Sequence, residues 1–103
     1  MSEITKQGEQ TIIKPAQNIV ASMAQEFRKD LLSLVEEGSK DLIADLTGVT
    51  MIDSIGIGIL VAAHNSLSKS GGQLTVTNVS EDIYRLFKTM RLDQHIQMEM
   101  ANC

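Results

Sequence analysis

At Met51-Ile52-Asp53-Ser54-Ile55-Gly56-Ile57-Gly58 a short apolar run ends in Asp-Ser, and an apolar run with two early glycines begins at once. An extended segment that passes into a helix with almost no linker is the joint from which α/β folds are built. The first turn of such a helix carries N–H groups without intrahelical partners and the positive end of the helix dipole. A serine at that point stands where an anion, and so a phosphate, is favoured.

The rest of the chain supplies the elements this joint needs. Glu3 to Gln7 and Thr11 to Lys14 read as short strands. Gly8-Glu9 is the turn of a hairpin, and Pro15 ends the second strand or marks an edge. Ser22 with Gln25 has the spacing of a capping box. Phe27, Leu31, Leu34 and Val35 then fall at helical spacing as far as Gly38, which stops the helix. Asp41 to Leu46 alternates as a strand, with Leu42, Ala44 and Leu46 on one face. The helix that opens near Ser54 runs to about Ser70, where Gly71-Gly72 break it. Leu74 to Asn78 is β-branched and extended. Ser80 caps a third helix with Glu81 and Asp82 in its first turn, and Ile83, Leu86, Phe87 and Met90 form its buried stripe. His95 to Met98 reads as a short last strand. The order β-β-α-β-α-β-α, with that terminal strand, predicts one small α/β domain over residues 1–103. Its sheet is mixed and packs against helices through right-handed crossovers.

Composition narrows the function. The 103 residues suffice for one core, and 43% are hydrophobic. The net charge of -4, with only three aromatic residues, leaves neither a basic stripe nor a stacking platform for nucleic acid. No apolar run is long enough to span a bilayer. The N-terminus lacks the layout of a signal peptide, so a cytoplasmic location is expected. Cys103 is the one cysteine, and His64 and His95 have no partner at metal-ligand spacing. No metal or cofactor is therefore expected.

The second helix is unusual. Gly56, Leu60, Ala63 and Leu67 make one stripe suited to packing on the sheet. Ile55, Ile57, Ile59 and Val61 spread apolar groups around the first two turns, so that end is either buried on several sides or forms an exposed patch. Each glycine costs the helix about 1 kcal/mol relative to alanine. Close helix–sheet packing or a tight turn is the simpler reason for them; close approach by a partner is the alternative. Val61 stands where a dinucleotide fingerprint needs its third glycine, and no Gly-Lys-Ser/Thr loop is present, which excludes a nucleotide site. A nucleophile elbow would need glycine at Ile52, and His64 lies about three turns down the same helix, so catalysis by Ser54 is not expected. Asp45 and Asp53 lie near strand ends, where binding loop backbone and tightening the turn are their expected roles.

The stretch from Asp45-Leu46-Thr47-Gly48-Val49-Thr50 through Met51 to Gly58 resembles the signature of the STAS domain, the fold of bacterial anti-sigma factor antagonists. The resemblance extends more loosely from Ile12 to Met98. It includes Gly71-Gly72-Gln73-Leu74 before a strand and the segment from Leu86 to Asp93 around the last helix. Two departures stand out. Ala16-Gln17-Asn18-Ile19 replaces the family's usual Gly-x-Leu/Ile-Asp in a loop that helps contact partners, and Arg91 stands where glycine is frequent.

The resemblance implies that Ser54 is phosphorylated by an anti-sigma factor that is also a serine kinase. It implies that the unphosphorylated protein binds this partner and frees the sigma factor, and that a PP2C-type phosphatase reverses the modification. Asp53, Ser54, Gly56, Ile57 and Val61 are then the partner-binding residues, with Ile57 and Val61 the expected exposed contacts beside a capping Ser54. The helix N-terminus is expected to hold the phosphate, so the switch acts at the interface and not by refolding. A STAS subunit acting as adaptor in a lipid-transporting ABC complex is the alternative.

Overall fold

A computed structural model describes residues 3–100, apart from the side chains of residues 21 and 22; Cys103 lies outside the described residues. The elements run β1 (Glu3–Gln7), β2 (Gln10–Lys14), α1 (Ala21–Glu36), β3 (Asp41–Asp45), α2 (Ser54–Lys69), β4 (Gln73–Val79), α3 (Glu81–Thr89), a 3-10 turn (Leu92–Gln94) and β5 (Gln97–Met100). The expected order is therefore observed, and the terminal strand is present, shifted to Gln97–Met100. The sheet order β1-β2-β3-β4-β5 follows the chain. β1 and β2 are antiparallel, joined through Gly8 at φ +62°, and the remaining pairs are parallel.

Because strand order equals chain order, every right-handed crossover steps the same way and delivers its helix to the same face of the sheet. Burial records this. Ile13, Leu42, Ala44, Leu74 and Val76 are at most 2% exposed, while their neighbours Ile12, Ile43 and Thr77 are only half-buried. The buried set packs with Phe27, Leu31, Leu60, Ala63, Leu67, Ile83 and Phe87 in one core. On the other face the paired residues Thr5, Ile12, Ile43, Thr75 and Gln97 form a continuous row across all five strands.

Local signals explain most element ends. Gly38 takes φ +92° and closes α1 with bonds from Gly38 N–H to Val35 O and from Ser39 N–H to Leu34 O. The Ser80 hydroxyl caps α3 by accepting from Ile83 N–H at 3.3 Å. Two expectations are corrected. The first concerns α1, which begins at Ala21 with Val20 extended in the capping position, so Ser22 lies inside the first turn and not at the cap. The second concerns α3, where Ile83 and Phe87, one turn apart, are buried in the core and Tyr84 packs half-buried against it. Leu86, a step round the helix, and Met90, past its last residue, are 37% and 48% exposed.

Both departures from the family pattern sit on left-handed backbone. Ala16 has φ +59° and Arg91 φ +60°. A side chain in this region costs about 1–2 kcal/mol, which gives a physical reason for glycine there.

Candidate functional site

The site lies beyond the C-terminal ends of β3 and β4, where two loops meet the start of α2. The first loop is pinned by Asp45. Its Oδ1 accepts from Thr47 N–H at 3.0 Å, from Thr47 Oγ1 at 2.6 Å and from Asn78 Nδ2 at 2.9 Å. Burial acts to raise the Asp45 pKa. The Thr47 hydroxyl, the Asn78 amide, the Thr47 N–H and the charge of Lys14 outweigh it and hold the carboxyl below its ordinary value. A depressed folded-state pKa contributes stability that is fully present above the unfolded pKa, about 3.9, and is lost as pH falls through the lower folded value. In urea titrations at stepped pH, Asp45→Asn is expected to show a shallower loss of stability below about pH 4 than the wild type.

The second loop, Val49 to Asp53, is fastened to the segment after Pro15. Ile19 and Ile52 form a parallel bridge, with Ile19 N–H donating to Met51 O at 3.1 Å and Asp53 N–H to Ile19 O at 3.2 Å. This bridge keeps Asp53 extended (φ -97°, ψ -178°), so the helix starts one residue later. The Asp53 carboxylate accepts from Ile55 N–H at 3.1 Å and Gly56 N–H at 3.0 Å. Ser54 was expected to be the cap; Asp53 is the cap, and Ser54 is the first helical residue, exposed to solvent. The expectation that the helix N-terminus would cradle a phosphate on Ser54 changes with it. The N–H groups of Ile55 and Gly56 already bind a carboxylate.

The two glycines differ in what surrounds them. A Cβ at Gly56 would lie 2.7 Å from Ile19 Cγ2, 2.7 Å from Ile52 Cγ1 and 2.8 Å from Ile19 O, so this glycine permits close packing of α2 on the bridge. A Cβ at Gly58 would meet nothing within 4 Å. Gly58→Ala is therefore expected to stabilise the fold by about 1 kcal/mol, the gain in helix propensity, seen as a higher urea midpoint.

The apolar groups around the site are distributed differently from expectation. Ile57 was expected to be exposed and is 5% exposed, because it packs into the core with Ile59. Val61 is half-buried. The exposed apolar side chains are Met51 (59%) and Ile55 (50%), on either side of Asp53-Ser54. Neither was singled out in the sequence as a contact. The all-round apolar character of this helix end was the signal, and it did not distinguish the inward isoleucines from the outward one.

Ser54 and His64 are separated by continuous α2, about 15 Å of helical rise. His64 and His95 line one small pocket with Val61, Asn65, Leu92 and Ile96. Among the described residues no group of three or more His, Cys, Asp or Glu is placed to hold a metal, and no helix is long and apolar enough to cross a membrane.

A small mixed five-stranded sheet with its helices on one face is the architecture of the STAS domain. The chain matches that family over residues 1–102 and belongs to it. It is 37% identical over 83 residues to the anti-sigma-B factor antagonist of Bacillus subtilis (strain 168), covering 80% of this chain and 75% of the relative. A solved putative anti-sigma factor antagonist from Thermotoga maritima superimposes with a TM-score of 0.90 at 22% identity, covering 95% of this chain and 85% of that one. The Bacillus cell fate determinant SpoIIAA in its phosphorylated form has a TM-score of 0.76 at 15% identity, covering 95% of this chain and 90% of that one.

Proposed function

We propose that this protein is a partner-switching regulator controlled by phosphorylation of Ser54. In the unphosphorylated state it binds an anti-sigma factor that is also a serine kinase, and so releases a sigma factor. The modified state does not bind, and a PP2C-type phosphatase restores the first state. The observation that carries this reading is the presentation of Ser54: exposed on the first turn of α2, with Met51 and Ile55 exposed beside it. The names of the relatives, one of them solved in a phosphorylated form, support the same reading.

The chemistry is local. Phosphorylation replaces a neutral hydroxyl with a group of about -1.5 to -2 charge at pH 7. Asp53 occupies the Ile55 and Gly56 amides, so the phosphate projects toward the partner rather than into the helix end. A partner surface fitted to a hydroxyl and two apolar side chains would then have to desolvate a dianion next to a carboxylate. Gly58, with open space above it, admits close approach of the partner's backbone. The alanine that stabilises the fold at this position should therefore weaken the complex.

The test is incubation with the anti-sigma factor kinase of the same organism and ATP. Intact mass should rise by one phosphate, mapped to Ser54, and Ser54→Ala should stay unmodified while still binding the kinase. A PP2C-type phosphatase should remove the group. Absence of phosphate together with co-purification on a permease complex would overturn this reading in favour of an adaptor.

A further inference from the structure

The segment that presents Ser54 has an anchor outside its own sequence. From Thr50 to Asp53 the backbone is tied to the loop after Pro15 at four points: the N–H groups of Thr50 and Met51, the carbonyl of Met51 and the N–H of Asp53. All four partners come from two residues, Asn18 and Ile19. Ile19 contributes only backbone atoms, which any residue but proline could supply on both sides. Asn18 contributes a side chain. Its Oδ1 accepts from Thr50 N–H at 2.8 Å, from Met51 N–H at 3.1 Å and from Thr50 Oγ1 at 3.2 Å.

We infer that Asn18 is a positioning residue for the switch serine: its side-chain oxygen fixes the Thr50–Met51 backbone ahead of the Ile19–Ile52 bridge and thereby steadies how Ser54 is offered to a kinase. This inference rests on the proposed role of Ser54 and names a residue that regulates that site without touching it. Three observations converge. One oxygen takes three donors from a segment more than thirty residues away in the chain. The loop that carries it is held in a costly shape, with Ala16 on left-handed backbone at φ +59°. And the same loop supports the helix from below, since Ile19 fills the space over Gly56 and bonds Asp53, the cap. The loop, the bridge and the first turn of α2 thus form one unit, and Asn18 is its side-chain-encoded joint.

The consequence concerns rate. Phosphoryl transfer depends on holding the accepting hydroxyl in line with the phosphate, and a displacement of about 1 Å can cost on the order of a hundredfold. With the Asn18 oxygen gone, Thr50 and Met51 N–H groups turn to water, while the Ile19 bonds to Met51 and Asp53 remain. The start of α2 should then sample positions that are unproductive for transfer.

Two variants test this. In Asn18→Ala, amide hydrogen exchange at Thr50 and Met51 should accelerate by about tenfold or more while strands β3 and β4 keep their protection. The kcat/KM for phosphorylation of Ser54 should fall about tenfold, with the larger part in kcat. Asn18→Asp retains the acceptor oxygen and should restore both to within about threefold of wild type, whatever small change in Tm either variant shows. The inference is overturned if Asn18→Ala is phosphorylated at the wild-type rate with unchanged exchange, or if Asn18→Asp fails to restore what Asn18→Ala loses. Failure of the underlying reading looks different: wild-type protein then takes up no phosphate at Ser54 at all.

Discussion

Gly56→Ala is expected to lower stability by about 2 kcal/mol and Tm by about 10 °C, measured by urea and thermal denaturation. Three atoms would lie inside 3 Å of the new methyl group: Ile19 Cγ2, Ile52 Cγ1 and Ile19 O. The two side-chain carbons cannot yield by rotation: Ile19 is fully buried and Ile52 5% exposed, so neither has room. The carbonyl has less freedom still. It accepts the Asp53 N–H bond that holds the helix cap, so moving it disturbs the bridge. Overpacking of this kind costs about 1–3 kcal/mol or more, against about 1 kcal/mol returned by helix propensity. Gly58→Ala, only two residues on, should move stability in the opposite direction. Equal effects at the two positions would mean that the bridge does not constrain α2 as described.

The other large effect is on binding. Phosphorylation of Ser54 is expected to weaken binding of the anti-sigma factor by about a hundredfold or more, and Ser54→Asp by a smaller factor in the same direction, both read by isothermal titration. A buried charge left without a partner across an interface costs about 2–5 kcal/mol, and each 1.4 kcal/mol is a factor of ten. Ser54→Ala removes a hydroxyl that projects from the surface and should bind within about threefold of wild type. Because the cap belongs to Asp53, neither substitution removes a helix-capping bond, so both variants should unfold near the wild-type midpoint. A Ser54→Asp protein that binds as tightly as wild type, and a phosphorylated protein that does the same, would rule out control at this surface.

Much of the architecture is legible in short stretches of sequence. The alternation in Asp41 to Leu46, the β-branched run in Leu74 to Asn78 and the stop at Gly38 are local signals, and each element lies within a residue or two of its expected place. The Ser80 cap was legible for the same reason: one serine, followed by acidic residues and a periodic stripe, has one reading. Where two neighbours compete, local reading stops short. Asp53 and Ser54 are both good capping residues, and Ser22 is a better cap on paper than Val20. What decides is where the chain ceases to be extended, and at Asp53 that is set by pairing with Ile19.

The chain by itself determined an α/β domain with strands linked by helices, an Asp-Ser step at the mouth of the second helix and two glycines after it, because these follow from periodicity and turn chemistry within a few residues. Only the tertiary structure decided which serine-flanking groups are presented. Ile57 turns inward and Ile55 outward although both are isoleucines in one helical turn, since the sheet and the Ile19–Ile52 bridge cover one side and leave the other to solvent. Gly56 and Gly58 separate for the same reason. Asn18 was legible only as a member of a partner-contacting loop and not as the anchor of Thr50 and Met51, because its three bonds reach across more than thirty residues, and the contacts that bring such distant groups together arise from burial of the core as a whole.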